Sequence, residues 1–418
     1  MRLPIYYFLL IAAISRGERC ARLVDETEGK CSPLNISRMV SAKDNPKLSE
    51  YVPVTSEAVP LFPPWFDLEL ARTGQEFACK YFAQLVFANI MSLVVGLSDL
   101  PTRRALFLTR KSNTPERAFK RYVSTAQQVH LWYHSDILDP SWAKSISNVR
   151  EIHNYASNYL ESLNPTVLKS AVHPEGNPTG FQPNERLWKA FKMDLVKLNY
   201  KDQPTDYYYS APKFQFKQYN LQMAIWPFIA LPILNPETLG IEMPSDEKGL
   251  KGFIHLWSVI GYALGTDEEN IYCKDAWSKN EWQGCKRRLR DALFKLLLPQ
   301  LMNLDFEGEI MIESVLLGFT ARLGVYPLEA VLSNLLEEHL GVSATHVREQ
   351  CSFLSLVIGT TANNFLTRYS TYFPPLRWLA NTFDIATLQN GHPISFLETE
   401  TFLYIHTIPP VGTQKFPN

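Results

Sequence analysis

Apolar residues recur at i, i+3 and i+4 through most of this chain, and that spacing excludes more folds than any other feature of the sequence. The pattern begins near residue 66 and is clearest over 287–304, 307–323, 327–340 and 343–367. Such spacing gives a helix one apolar stripe, which needs another helix to cover it. No strand–helix alternation interrupts the pattern, and no Asn-Gly hairpin signal falls inside it. The expected class is all-α, as one domain over residues 66–385. With 418 residues, 46% of them hydrophobic, the chain is long enough for a large core.

Local signals place several helices. Thr114-Pro115-Glu116 combines an N-cap, a first-turn proline and an acid at the positive helix end. It predicts a helix to about Tyr133. Further helices are expected over 141–162, 187–198, 221–234 and from Pro244 to Leu264, the last stopped by Gly265. The run from Ala78 to Leu97 carries no charge after Lys80. Gln84, Asn89 and the flanking charges favour a buried core helix there over a membrane span.

The ends read differently. Arg2, an apolar stretch from Ile5 to Ile14 and Ser15-Arg16-Gly17 form a secretory signal peptide over residues 1–17, with an uncleaved anchor as the alternative. Residues 18–65 are an extended arm, and 386–418 a C-terminal tail with room for a short hairpin or an extended wrap. Secretion, with the endoplasmic reticulum lumen as another destination, permits disulfides among the six cysteines. Cys273 and Cys285, bracketing a polar segment, are the favoured pair. Cys79 and Cys351 lie in apolar stretches and read as buried thiols. Asn35-Ile36-Ser37 is a glycosylation sequon. A net charge of -1 without a basic patch points away from nucleic acid.

Phosphate loops, nucleophile elbows and HExxH are missing from the sequence, so the nine histidines carry most of the chemical information. His130 and His134 share a helix face and form a possible metal pair, but they point about half a turn away from the Arg121/Thr125 face. Arg150 and His153 are three apart on the next helix. His255 lies between Gly252 and Gly261, where glycines inside a helix suggest close approach of a backbone or cofactor. From spacing alone each histidine is more readily a packed residue than a ligand.

Three segments in order change the weight on His153. They are Arg121-Tyr-Val-Ser-Thr125, Ser145-Ile-Ser-Asn-Val-Arg150-Glu-Ile-His153, and Leu239 to Gly265 with its Pro244-Ser-Asp246 and glycines. Together they resemble the rubber oxygenase (latex clearing protein) family. That family also includes an endoplasmic-reticulum-bound oxygenase acting on the isoprenoid side chain of a mycophenolic acid precursor. The resemblance spans roughly residues 70–370.

It implies a globin-like helical core holding haem b, with His153 as the iron ligand. It also implies a distal arginine and threonine at Arg121 and Thr125. Arg150 is a candidate propionate partner. The bacterial rubber-cleaving members carry a lysine just before the threonine, where this chain has Ser124. The implied activity is oxidation or cleavage of a carbon–carbon double bond by dioxygen, in an apolar isoprenoid-like or polyisoprenoid substrate. An aromatic content of 12% suits a greasy pocket or a thick core equally. The alternative is a helical protein without catalysis that binds haem or a lipid, or serves as an interaction module.

Overall fold

The computed structural model describes residues 61–164, 181–198, 218–274, 279–323 and 327–390. Among them every regular element is helical, as the periodicity requires. The signal sequence, the sequon, Cys20, Cys31 and most of the arm and tail lie outside the described residues.

Helix α1 (Leu68–Lys80) begins at Asp67, whose carboxylate accepts from the Leu70 N–H at 3.0 Å. Tyr81 ends it, and α2 (Phe82–Gly96) leaves at 86°. The long apolar run is therefore two helices. The break is fixed by polar contacts: Lys80 Nζ lies 2.8 Å from the Asp246 carboxylate, the Tyr81 hydroxyl donates to the same carboxylate, and the Glu242 N–H donates to that hydroxyl at 3.2 Å. No single helix among the described residues is long and apolar enough to cross a membrane. Twelve of the fifteen residues of α2 are buried, so its apolar surface faces protein on nearly all sides.

Asp99 caps a short helix that the periodicity did not predict, α3 (Leu100–Leu108), accepting from the Thr102 N–H at 3.1 Å and from the Tyr219 hydroxyl at 2.6 Å. Helix α4 (Pro115–His134) starts at the Thr114 cap as expected. Asp139 caps α5 (Pro140–Ser162) and Asn184 caps α6 (Glu185–Leu195). Helix α7 (Gln218–Leu234) is apolar on every side, contains Pro227 and Pro232, and packs along α2. A helix of that composition has to be interior.

Helix α8 (Glu247–Ala263) crosses α1 in the most extensive helix pairing of the molecule. The crossing is glycine on glycine. A Cβ on Gly74 would lie 2.2 Å from the Gly252 carbonyl oxygen, and one on Gly252 would lie 2.6 Å from the Gly74 nitrogen. The glycine inside α8 thus serves the approach of α1's backbone. Gly261 meets Ile225 of α7 in the same way, and Gly265 ends the helix at φ +101°. His255, buried in α8, accepts from the Asp67 N–H at 3.0 Å and packs against Trp65 and Phe66.

The C-terminal half continues with α9 (Lys279–Asp291), a π segment (Ala292–Leu297) and α10 (Leu298–Met302). A disulfide joins Cys273 to Cys285 within α9. Helix α11 (Phe306–Leu323) packs on α4, where Gly318 sits under the Pro115 carbonyl. Then come α12 (Leu328–Asn334), α13 (Thr345–Glu349), α14 (Phe353–Asn364), α15 (Ser370–Tyr372) and α16 (Pro374–Asn390). The segment expected as one helix over 343–367 is broken at residues 350–352. The expected boundary between domain and tail at 385/386 falls inside α16, which runs on to Asn390. Cys79 and Cys351 are half-buried free thiols, and burial raises both pKa values, that of Cys79 to about 11.

The α1–α8 crossing gives a direct stability test. Gly252→Ala places a methyl against main-chain atoms that cannot rotate away. It should lower unfolding free energy by about 1–3 kcal/mol, read from the urea midpoint at unchanged m-value.

Candidate functional site

A cavity of about 640 Å³ opens between α2, α4, α5 and α7. That is within the usual size of small-molecule sites. Apolar side chains dominate its walls: Leu85 and Val86 from α2, Val129 from α4, Ala156 from α5, Phe228 from α7 and Trp257 from α8. The walls follow from the sequence locally. Helix α5 contributes Val149, Ile152, His153, Ala156 and Leu160, a stripe at helical spacing.

Arg121, Thr125 and His153 all line this cavity. Two neighbouring helices therefore bring together three of the four residues singled out from sequence. The fourth, Arg150, is not among the lining residues. At about 100° per residue, His153 sits at one edge of the α5 stripe and Arg150 lies roughly 60° farther from its centre. Sharing a face with His153 was not enough to bring Arg150 to the same space.

His153 lies deep in the protein, and its partial exposure is to the cavity. Burial, reinforced by the positive charge of Arg121, lowers its pKa to about 4. The imidazole is neutral at pH 7. Its Nδ1 is buried without a hydrogen-bond partner among the described residues. Arg121 is equally deep, and burial lowers its pKa. It makes no ion pair among the described residues; its one recorded neighbour of that kind is the Tyr122 ring, 6.0 Å away. The Thr125 hydroxyl donates to the Arg121 carbonyl at 3.2 Å, leaving its oxygen free to accept.

The His130/His134 pair does not line the cavity. The rings stack on each other at 3.9 Å and on Phe82, and His134 Nδ1 contacts the His130 carbonyl at 2.9 Å. Burial and the neighbouring His134 lower the His130 pKa to about 4. Among the described residues no cluster of three or more His, Cys, Asp or Glu side chains could hold a metal ion. His255 also lies outside the cavity wall.

One wall residue carries a signal that spacing did not assign to the site. Asn89 sits in the middle of α2, and its buried Oδ1 has no partner among the described residues. A lone amide in an apolar helix was visible in the sequence. Its direction was not. The other buried acid with a strongly perturbed pKa, Glu307 at about 7, is raised by burial beside Arg103 and Arg104 and lies away from the cavity.

Comparison of the chain with protein-family models, with curated proteins and with solved structures gave no match.

The neutral histidines make stability pH-dependent with a definite sign. His130, His153, His255 and His339 titrate near 4 when folded, burial being the main cause in each. In the unfolded chain they titrate at about 6.5. The unfolded state therefore binds more protons between those values. Stability is full above about pH 6.5 and falls as pH drops toward 4. Urea midpoints measured at pH 7, 6 and 5 should decrease in that order, and His153→Gln should flatten the slope.

Proposed function

We propose that this protein is a haem b-dependent oxygenase. Its reaction would oxidise or cleave a carbon–carbon double bond of an apolar, isoprenoid-like substrate with dioxygen. The supporting observation is the convergence of His153, Arg121 and Thr125 on one apolar cavity. Their order in the sequence matches the rubber oxygenase pattern, and the globin-like core that the pattern implies belongs to the same proposal.

The residues fit the cofactor. A neutral imidazole is a suitable axial ligand for haem iron, and burial keeps His153 neutral. Its nitrogens are not committed to other partners among the described residues. The carbonyl or carboxylate that commonly orients a ligating histidine is not within hydrogen-bonding distance of Nδ1. Haem, when bound, supplies the iron and the redox chemistry of dioxygen.

The chain's own groups do the rest. Arg121 offers a fork of N–H donors in a low-dielectric space, where charge developing on oxygen is stabilised most. Thr125 anchors its hydroxyl proton on the Arg121 carbonyl, so its oxygen presents lone pairs. Leu85, Val86 and Phe228 exclude water and accept hydrocarbon. Passage through the secretory pathway, as the N-terminus suggests, is part of this reading.

A second reading uses the same cavity without catalysis. An apolar space of this size also suits a haem or lipid carrier, and Ser124 replaces the lysine of the bacterial enzymes. The absorption spectrum decides the first step. Purified protein should show a haem Soret band that His153→Ala abolishes or shifts. Well-folded protein that takes up no haem on reconstitution would end the oxygenase reading. If haem is present, dioxygen consumption with a terpene or polyisoprenoid should follow, and Arg121→Leu should lower kcat on the order of 100-fold. A haem-loaded protein that never consumes dioxygen would favour the carrier.

A further inference from the structure

The cavity is apolar in its walls but not neutral in charge. Arg121 stands inside it, and Arg110, Lys111, Arg117 and Lys120 also line it. Against these five cations the lining holds one acid, Glu116, and that acid is engaged with Lys120 at 3.3 Å. Arg117 donates to the Asn113 side chain at 3.3 Å. Arg121 has no anionic partner among the described residues.

An unpaired guanidinium held away from water is costly to a folded protein unless something neutralises it. A surface salt bridge was the plain expectation for this residue, and the structure puts Arg121 in the cavity instead. Its planar fork of donors fits a carboxylate at two oxygens at once. Arg110 adds a second observation nearer to solvent. It is exposed, it lines the same cavity, and its φ is +54°, the one non-glycine residue in the left-handed region among those described. Backbone held there by a non-glycine residue is strained and clusters at ligand sites. The two arginines thus stand at an outer and an inner position of one apolar space.

We infer that the cavity's organic ligand is an anionic amphiphile, a long-chain or isoprenoid carboxylic acid. Its carboxylate is held by Arg121, with Arg110 drawing it in, and its hydrocarbon lies along α2 and α7. The inference rests on the cavity being the ligand site, as in the reading above, and does not depend on haem being present. It narrows the substrate class from any apolar hydrocarbon to one with a carboxylate head.

Decanoate, decan-1-ol and methyl decanoate separate charge from hydrocarbon, because the chain is the same in each. Titration calorimetry on full-length protein, both as purified and after haem reconstitution, should show decanoate binding about 10- to 100-fold more tightly than either neutral probe. Arg121→Gln should remove that preference and leave decanol affinity unchanged, while Arg121→Lys keeps part of it. Arg110→Gln should weaken decanoate by a smaller factor. Decyl phosphate provides a further arm: tighter binding than decanoate at Arg121 would replace the carboxylate by a phosphate and overturn the assignment.

Equal affinities for decanoate and decanol would overturn the anionic head while leaving the cavity as an apolar site. Failure of all three probes to bind would overturn the cavity as a ligand site as well. Protein that binds decanoate selectively but never takes up haem would sink the oxygenase reading and leave this inference standing. If Arg121→Gln does not fold, the comparison of the three probes on the unmodified chain still decides it.

Discussion

The structure depends on enclosing α2, a helix with no polar face. Its mid-segment, Leu85 to Val95, offers water almost nothing except Asn89 and Ser92. Burying such a helix on nearly every side takes several partners. Helix α7 supplies one long contact, and α16 reaches back from the end of the described chain to supply another. The α1–α8 pair then closes beside them, at a separation that only facing glycines allow. Each large apolar side chain taken from water contributes roughly 1.5–3 kcal/mol, so this one helix explains why so much of the chain wraps around it.

Enclosure on that scale leaves a space where side chains do not meet, and the cavity lies beside α2. Its walls are ordinary core residues. What distinguishes it is the placement of polar groups where the hydrophobic pattern would tolerate something simpler. Arg121 and Thr125 interrupt an otherwise amphipathic α4, and His153 stands at the edge of the α5 stripe. None of the three has an evident structural duty beyond the Thr125–Arg121 back-bond. By contrast, the buried polar groups elsewhere hold helices together. Asp99 joins α3 to Tyr219 of α7, Gln84 reaches Ser370, and Asp194 gathers Lys197, His346 and the Val347 N–H.

Periodicity made the helices legible because a stripe of apolar residues is a local property. Thr114 and Pro115 announced their helix for the same reason. The breaks were less legible. Tyr81 ends α1 because its hydroxyl and the adjacent Lys80 reach Asp246, 165 and 166 residues away, and no window of local sequence contains that contact. The π segments after Asp291 and Asn334 extend helical patterns without leaving any trace in the spacing. Helix α3 was missed because nine residues give little periodicity to count.

The sequence by itself determined that this chain is helical, which residues face inward, that Cys273 pairs with Cys285, and which arginine, threonine and histidine stand in a suggestive order. The tertiary structure alone decided that Arg121, Thr125 and His153 share one cavity, that Arg150 and the His130/His134 pair do not, and that Gly252 serves a helix crossing. The physical reason is one of range. Helix spacing fixes the direction of a side chain relative to its own axis, but which space that direction enters is set by the partners that burial brings alongside. For His153 this makes the difference between an ordinary packed histidine and an imidazole held neutral against an apolar cavity.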